Sequence, residues 1–206
     1  SPDGSRLAVS FFSIAGISCN TRVAIYDFSQ QLQGNEGSLA AGFDHEDLMI
    51  PKLTFTDDRT LAAFGEDKTF FYSVTDTPKL KRTIEFRETI ESVFEGKNCI
   101  GYVLDNNTGD PAEGRYRLQL YSKTGTKKID VPVDMNYETI RMIGHEIFAV
   151  RENECTIINS QGKIIFQETL NGNGIASILP ALGFREYHVV FRDRIVHMSL
   201  RFWGED

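Results

Sequence analysis

The chain has 206 residues, of which 41% are hydrophobic and 15 are Phe, a composition that supplies a sizeable core and excludes a disordered chain. The formal net charge is -7, and no basic stripe is visible, so nucleic-acid binding is not expected. No apolar run approaches the roughly 18 residues that a membrane-spanning helix needs.

The first predicted element is a tight turn at Pro2, Asp3 and Gly4, followed by an apolar strand at residues 7–11. We interpret this opening as a turn from the middle of a domain, and we expect the chain to be a fragment that lacks any targeting segment. Similar polar turns recur at intervals of roughly forty residues once two polar insertions, at residues 29–36 and 105–114, are set aside. These further turns lie at residues 57–59, 95–98, 144–145 and 183–185.

Each turn separates two predicted strands. The strands before the turns alternate apolar and polar residues, which is typical of a half-buried strand; they lie at residues 51–55, 90–94, 139–143 and 175–179. The strands after the turns are almost continuously apolar, which predicts inner strands covered on both faces; they lie at residues 7–11, 60–64, 99–103, 147–150 and 187–191.

A third strand in most repeats ends in an apolar residue followed by Asp, Ser or Asn; examples are Asp27, Ser73, Ser122 and Asn159. These side chains can accept a hydrogen bond from a nearby backbone amide, so a turn is expected there. Fourth strands follow at residues 79–86, 127–133 and 163–170, and their Lys and Glu content suits outer edges, where charge discourages aggregation.

Repetition of a four-stranded unit with almost no helical periodicity predicts an all-β fold, a β-propeller of about five blades. The blade repeats span approximately residues 1–44, 50–86, 90–134, 138–170 and 175–206, within a single propeller domain or propeller fragment. The first blade lacks its first strand and the last lacks a clear fourth, so we expect part of a larger seven- or eight-bladed propeller, although five blades could almost close. A β-sandwich is the main alternative, but it gives no reason for the repeated motif.

The opening segment, residues 1–9 (SPDGSRLAV), is similar to the turn of TolB-type and WD-like propeller repeats. The wider chain resembles a bacterial, mainly clostridial, family of unknown function; the resembling stretches are residues 1–10, 41–47, 51–52, 62–65, 90–94 and 116–121. The resemblance implies a membrane-anchored protein whose propeller lies outside the cytoplasm, with an N-terminal anchor that this chain lacks. It implies no known activity and no catalytic residues.

Two acidic segments could supply metal ligands. The first holds Asp44, His45, Glu46 and Asp47, but adjacent residues of an extended segment point to opposite sides, so we favour a solvated or capping loop. The second, residues 105–110, resembles a calcium loop, but position twelve is Tyr116 instead of Glu. We therefore predict no metal site, no cofactor-binding residues and no catalytic set.

The chain has three cysteines, Cys19, Cys99 and Cys155, whose wide spacing favours free thiols over a disulfide framework or a zinc site. His145 is expected in a turn and His188 in an inner strand, and neither belongs to a recognisable catalytic motif. Aromatic residues that could mark a contact face are Phe43, Phe184, Phe202 and Trp203.

The favoured hypothesis is a non-enzymatic module that binds a protein or cell-envelope ligand through loops on the propeller rim. One alternative is a propeller-type hydrolase or lyase with a site in the central channel. The other is a purely structural repeat scaffold.

Overall fold

The computed structural model describes residues 1–29, 38–75, 77–106, 115–133 and 137–200. Within these ranges the chain has no helix and forms 18 strands in five antiparallel sheets, so the all-β prediction is confirmed. Contacts divide the chain into two compact units, Ser1–Ile90 and Glu91–Asp206.

The first unit holds two sheets in which sequential strands are neighbours. The first sheet contains β1 (Arg6–Ala15), β2 (Ser18–Asp27) and β3 (Ser38–His45). The second contains β4 (Lys52–Asp57), β5 (Thr60–Phe64), β6 (Lys68–Ser73) and β7 (Lys79–Glu85). Alternate residues of β2 and β5 meet in one core cluster, which comprises Val23, Ile25, Ile50, Leu61, Ala63, Tyr72 and Val74.

The remaining three sheets follow the same order. The third contains β8 (Thr89–Gly96), β9 (Cys99–Asp105), β10 (Tyr116–Ser122) and β11 (Lys127–Val133). The fourth contains β12 (Thr139–Ile143), β13 (Glu146–Arg151), β14 (Glu154–Ile158) and β15 (Ile164–Thr169). The fifth contains β16 (Ile175–Pro180), β17 (Glu186–Phe191) and β18 (Ile195–Ser199).

Two core clusters stabilise the second unit. One lies between the third and fourth sheets and includes Phe94, Leu118 and Ile147. The other lies between the fourth and fifth sheets and includes Phe148, Ile157 and Val189. Because successive side chains of a strand point to opposite faces, β13 contributes Ile147 to one cluster and Phe148 to the other.

Three of the five predicted inner strands are buried as expected, and the other two are partly exposed. Apart from intermediate Thr60 and Asp105 and exposed Arg151 at their ends, β5, β9 and β13 are buried along their length, as expected. For β1 and β17 the expectation is wrong, since Leu7, Phe11 and His188 are exposed. These two strands belong to the three-stranded sheets, and each of those sheets has one face that no described residue fully covers.

Three of the four polar residues predicted to end a third strand and close a local turn, Asp27, Ser122 and Asn159, do so. Asp27 accepts a hydrogen bond from the Ser29 amide at 2.8 Å, and Ser122 Oγ accepts one from Thr126 at 3.0 Å. Asn159 Oδ1 accepts hydrogen bonds from two amides, at 3.0 and 2.9 Å. The predicted fourth strands correspond to β7, β11 and β15, which are outer strands of their sheets, as the sequence indicates.

Candidate ligand-binding cleft

An open cleft of about 350 Å³ lies in the second unit, between two neighbouring hairpin turns. One turn joins β12 to β13, and the other joins β16 to β17. The cleft is lined by Ile143, Gly144, His145, Glu146, Pro180, Ala181, Gly183, Phe184, Arg185, Glu186 and Tyr187.

The β12–β13 turn places a carboxylate at the floor of the cleft. Ile143 pairs with Glu146, leaving Gly144 and His145 as a two-residue turn. Gly144 has a φ of 63°, a conformation that side-chain-bearing residues rarely adopt, and glycine is typical at the first position of such tight turns. The turn exposes His145 to solvent and directs Glu146 inward, where only 6% of the residue is exposed.

The Glu146 carboxylate is hydrogen-bonded to two side chains from the neighbouring sheet. Arg185 Nε donates to one carboxylate oxygen at 2.9 Å, and the Tyr187 hydroxyl donates a short hydrogen bond to the other. Burial, together with this hydrogen bond to Glu146, raises the pKa of Tyr187 well above its ordinary value, so the hydroxyl remains protonated. A buried charge is tolerated only when it is paired in this way, so the network fixes the two turns to each other.

The β16–β17 turn forms the opposite wall and is held by its own backbone. The Ala181 amide donates to the Glu186 carbonyl at 2.8 Å, and the Leu200 amide donates to the Arg185 carbonyl at 3.0 Å. Arg185 itself has a φ of 54°, which is unusual for a residue with a side chain.

Two large apolar side chains stand exposed on this turn. Phe184 is 86% exposed, and Leu182 is fully exposed. The Arg185 guanidinium lies 5.3 Å from the centroid of the Phe184 ring, a cation–π contact that orients the ring at the rim. An exposed aromatic side chain on a fixed turn is an arrangement suited to contact with a partner.

The carboxylate of the cleft is fully paired, because one of its oxygens accepts a hydrogen bond from Arg185 and the other accepts one from Tyr187. Across the described ranges, no group of three or more His, Cys, Asp or Glu side chains could hold a metal ion.

The side chains of the first acidic segment, residues 44–47, do not converge on one point in the structure. His45 is half-buried, and its Nε2 atom lies 2.8 Å from the Tyr72 hydroxyl, while Asp44 and Glu46 are exposed. Asp47 has a φ of 51°, and its amide donates to Asn20 Oδ1 at 2.9 Å. The side chains therefore diverge, but the prediction of a loop is wrong for Asp44 and His45, which belong to β3, and the turn begins only after His45.

The second acidic segment lies mostly outside the described residues, as do Phe202 and Trp203. Its first residue, Asp105, forms an ion pair with Arg115 at 3.1 Å. The three cysteines are free thiols; burial raises the pKa of Cys155 to about 12, so that thiol is unreactive at neutral pH.

Of the aromatic residues proposed as contacts, Phe184 is exposed, whereas Phe43 stacks on Tyr72 with ring centroids 3.9 Å apart and belongs to the core. Sequence reasoning missed Glu146. The available signal was an acidic residue at the start of a strand that is otherwise apolar, since such a residue must find a partner when the strand is buried.

The match to a known family covers almost the whole chain. A family model described as a family of unknown function (DUF5711) matches residues 1–200. No curated protein matches the sequence. In the part of the chain that the structure describes, no helix is long and apolar enough to cross a membrane.

Proposed function

The chain belongs to the family of unknown function DUF5711, and from that premise we propose that it is a non-enzymatic binding module. Its ligand is a protein or peptide of the cell envelope that presents an apolar side chain. The observation that carries the proposal is the exposed Phe184 on a turn anchored by the partly buried Glu146–Arg185 ion pair.

The apolar part of such a ligand would contact Phe184 and Leu182, which lose unfavourable contact with water when covered. Its polar part would face His145 and Glu186 at the mouth of the cleft. Because the turn is already fixed by hydrogen bonds, binding would order few additional groups, which favours affinity.

We also propose that the five sheets are propeller blades and belong to a larger seven- or eight-bladed ring. The sequential strand order within each sheet and the packing of neighbouring sheets in each unit support this fold. In such a ring the β12–β13 and β16–β17 turns would lie on one rim. The position outside the cytoplasm, tethered to the membrane, rests only on the resemblance of segments such as residues 41–47.

Selection of peptides from a random display library on the purified chain tests the binding function. We expect the selected peptides to carry aromatic or large aliphatic residues, and Phe184→Ala to weaken their binding about tenfold, or about 1.4 kcal/mol. Leu80→Ala is the matched control, because Leu80 is also exposed but lies in the first unit on β7.

Glu146→Gln gives a second readout, since it removes the charge that positions Arg185 without changing the exposed surface. We expect it to weaken binding as well, and we expect bound peptides to remain intact by mass spectrometry. The proposal is wrong if no peptide is enriched over an unrelated protein, or if Phe184→Ala binds the selected peptides as tightly as the unmodified chain.

A further inference from the structure

Two histidines lie side by side on the fifth sheet. β17 and β18 are antiparallel, and their register places His188 directly opposite His197. Residues that face each other in this way have Cβ atoms about 4.5–5.5 Å apart, so their side chains reach the same space. The centroids of the two imidazole rings lie 5.6 Å apart. The pair is therefore brought together by the backbone of the sheet and not by a loop.

Both imidazoles are accessible to solvent. Tyr187 and Val189, the neighbours of His188 in β17, belong to the core cluster between the fourth and fifth sheets. Because side chains alternate along a strand, His188 points to the other face of the sheet, where both histidines are exposed. The terminal side-chain torsion of histidine is broad, so exposed rings can turn to meet a ligand without any change in the core.

The charge beside the pair favours a cation. Glu186 lies on the same face as His188, and its Oε2 atom is 3.4 Å from the Nε2 atom of His197. This carboxylate attracts a positive charge at the ring, whether it is a proton or a metal ion. On the other side of His188, the residue paired with it on β16 is Leu179, which brings no opposing charge.

We propose that His188 and His197 together bind one divalent transition-metal ion, such as zinc. Imidazole is a ligand that suits zinc, copper and nickel, whereas calcium and magnesium prefer oxygen. A metal ion that binds one nitrogen of each ring at about 2.0–2.1 Å holds the ring centres about 5–6 Å apart. The observed separation of 5.6 Å meets this requirement.

The proposed site has two protein ligands, which agrees with the lack of a three-ligand group among the described residues. Structural zinc sites usually have four protein ligands and are closed. With two, the remaining coordination positions are open to water or to a ligand from another molecule, and the ion can exchange. This site goes beyond the proposed peptide binding and does not depend on it.

The other two histidines of the chain lack this arrangement. His45 pairs with Thr21 in the strand register and shares a hydrogen bond with Tyr72, and His145 is exposed in the β12–β13 turn. Two ligands fixed on one sheet act as a chelate, because binding to the first ring places the ion at high effective concentration near the second. Metal binding at the pair should therefore be much tighter than at a single imidazole.

Titration calorimetry with zinc chloride tests the proposal on a chain without a histidine tag, in which Cys19→Ser removes the partly exposed thiol. We expect one zinc ion per chain, and His188→Gln and His197→Gln each to weaken binding at least about tenfold. The double variant should bind little more weakly than either single variant, because loss of one ring already removes the chelate. His145→Gln is the matched control, since it also removes an exposed imidazole. Circular dichroism checks that the variants retain their strands.

Modification with diethyl pyrocarbonate gives a second readout that requires no variant. Zinc should slow the modification of His188 and His197 but not that of His145, as measured by mass spectrometry of the digested chain. Calcium and magnesium should give no protection, because they prefer oxygen ligands.

The proposal is overturned if zinc does not bind, if His145→Gln weakens binding as much as the changes in the pair, or if calcium protects the pair as well as zinc does. It is also overturned if each single variant of the pair loses half of the zinc bound while the remaining half keeps its affinity. That result would show two independent imidazoles in place of one chelate.

Discussion

His45, one of the residues weighed and rejected as metal ligands in the sequence, has a structural role. Its ring lies 4.7 Å from Phe70 and 5.8 Å from Phe43, centroid to centroid, and Tyr72 shares a hydrogen bond with it. Burial lowers the pKa of His45 below its ordinary value of 6.5, and the neighbouring carboxylate of Asp44 only partly opposes the shift. The neutral imidazole is therefore the form that the folded chain prefers.

This preference predicts a pH dependence of stability. Between the lowered folded pKa and 6.5, the unfolded chain binds a proton at His45 that the folded chain does not. The free energy of unfolding should therefore fall as the pH drops below 6.5 and level off below the folded pKa. For one proton the slope cannot exceed about 1.4 kcal/mol per pH unit.

Urea unfolding between about pH 5 and pH 8, followed by circular dichroism, measures this dependence. His45→Gln should flatten the slope, whereas His145→Gln should leave it unchanged, because His145 is exposed in a hairpin turn. An equal slope in the His45→Gln variant would show that the burial of His45 is not its cause.

At the scale of the strand, Gly101 shows why an inner strand tolerates so little change. Gly101 lies in the middle of β9, every residue of which is buried except Asp105. A Cβ atom at this position would overlap the ring of Phe94 in the adjacent β8. The Phe94 ring thus occupies the space that a side chain at Gly101 would fill.

We predict that Gly101→Ala destabilises the chain by about 1–3 kcal/mol, because the core has no room for the added methyl group. The midpoint of urea unfolding measures the change. Phe94→Leu removes the atoms that collide, so the double variant should be less destabilised than the sum of the two single changes. If the two changes in the free energy of unfolding are strictly additive, contact with Phe94 is not the cause of the destabilisation by Gly101→Ala.

Most of the strands were predictable from sequence because the patterns that identify them are local, but β3 was not predicted. Alternation of apolar and polar residues identifies β4 and β8, and Asn159 closes its own turn through amides two and four residues away. The cleft could not be predicted in the same way. Arg185 and Tyr187 are 39 and 41 residues from Glu146, and they meet only because two sheets stack.

The burial of β1 was mispredicted for a related reason. Its apolar sequence indicates burial but does not state whether a neighbouring sheet covers both faces. In the described residues, Leu7, Tyr26 and Leu39 form a row across the first sheet, on the face opposite the core cluster, and both leucines are about half exposed.

For the whole molecule, this uncovered row predicts self-association. Two copies that cover the row would remove the exposed leucine side chains from water, at about 25 cal/mol per Å² of apolar surface. We expect the sedimentation coefficient of the chain to rise with protein concentration. Leu7→Glu/Leu39→Glu should suppress the rise, since the net charge is already -7 and added carboxylates on the face would repel.

Leu80→Glu is the control for this measurement, because it adds a carboxylate at an exposed position on the outer strand β7. A constant sedimentation coefficient over a hundredfold or so range of concentration would contradict the prediction. It would also weaken the alternative in which the chain serves only as a scaffold for assembly.

The turns closed by Asp27, Ser122 and Asn159 have a consequence for how such a chain can change over evolutionary time. Each turn is completed by a side chain and backbone amides of the same sheet repeat, so a duplicated gene segment that encodes a whole repeat also encodes the residues that close its turn. Tandem duplication or loss of complete repeats then requires only that the faces of neighbouring sheets match. Changes in repeat number are therefore accessible in a single genetic step, whereas a breakpoint inside a repeat separates a turn from the strands that it joins.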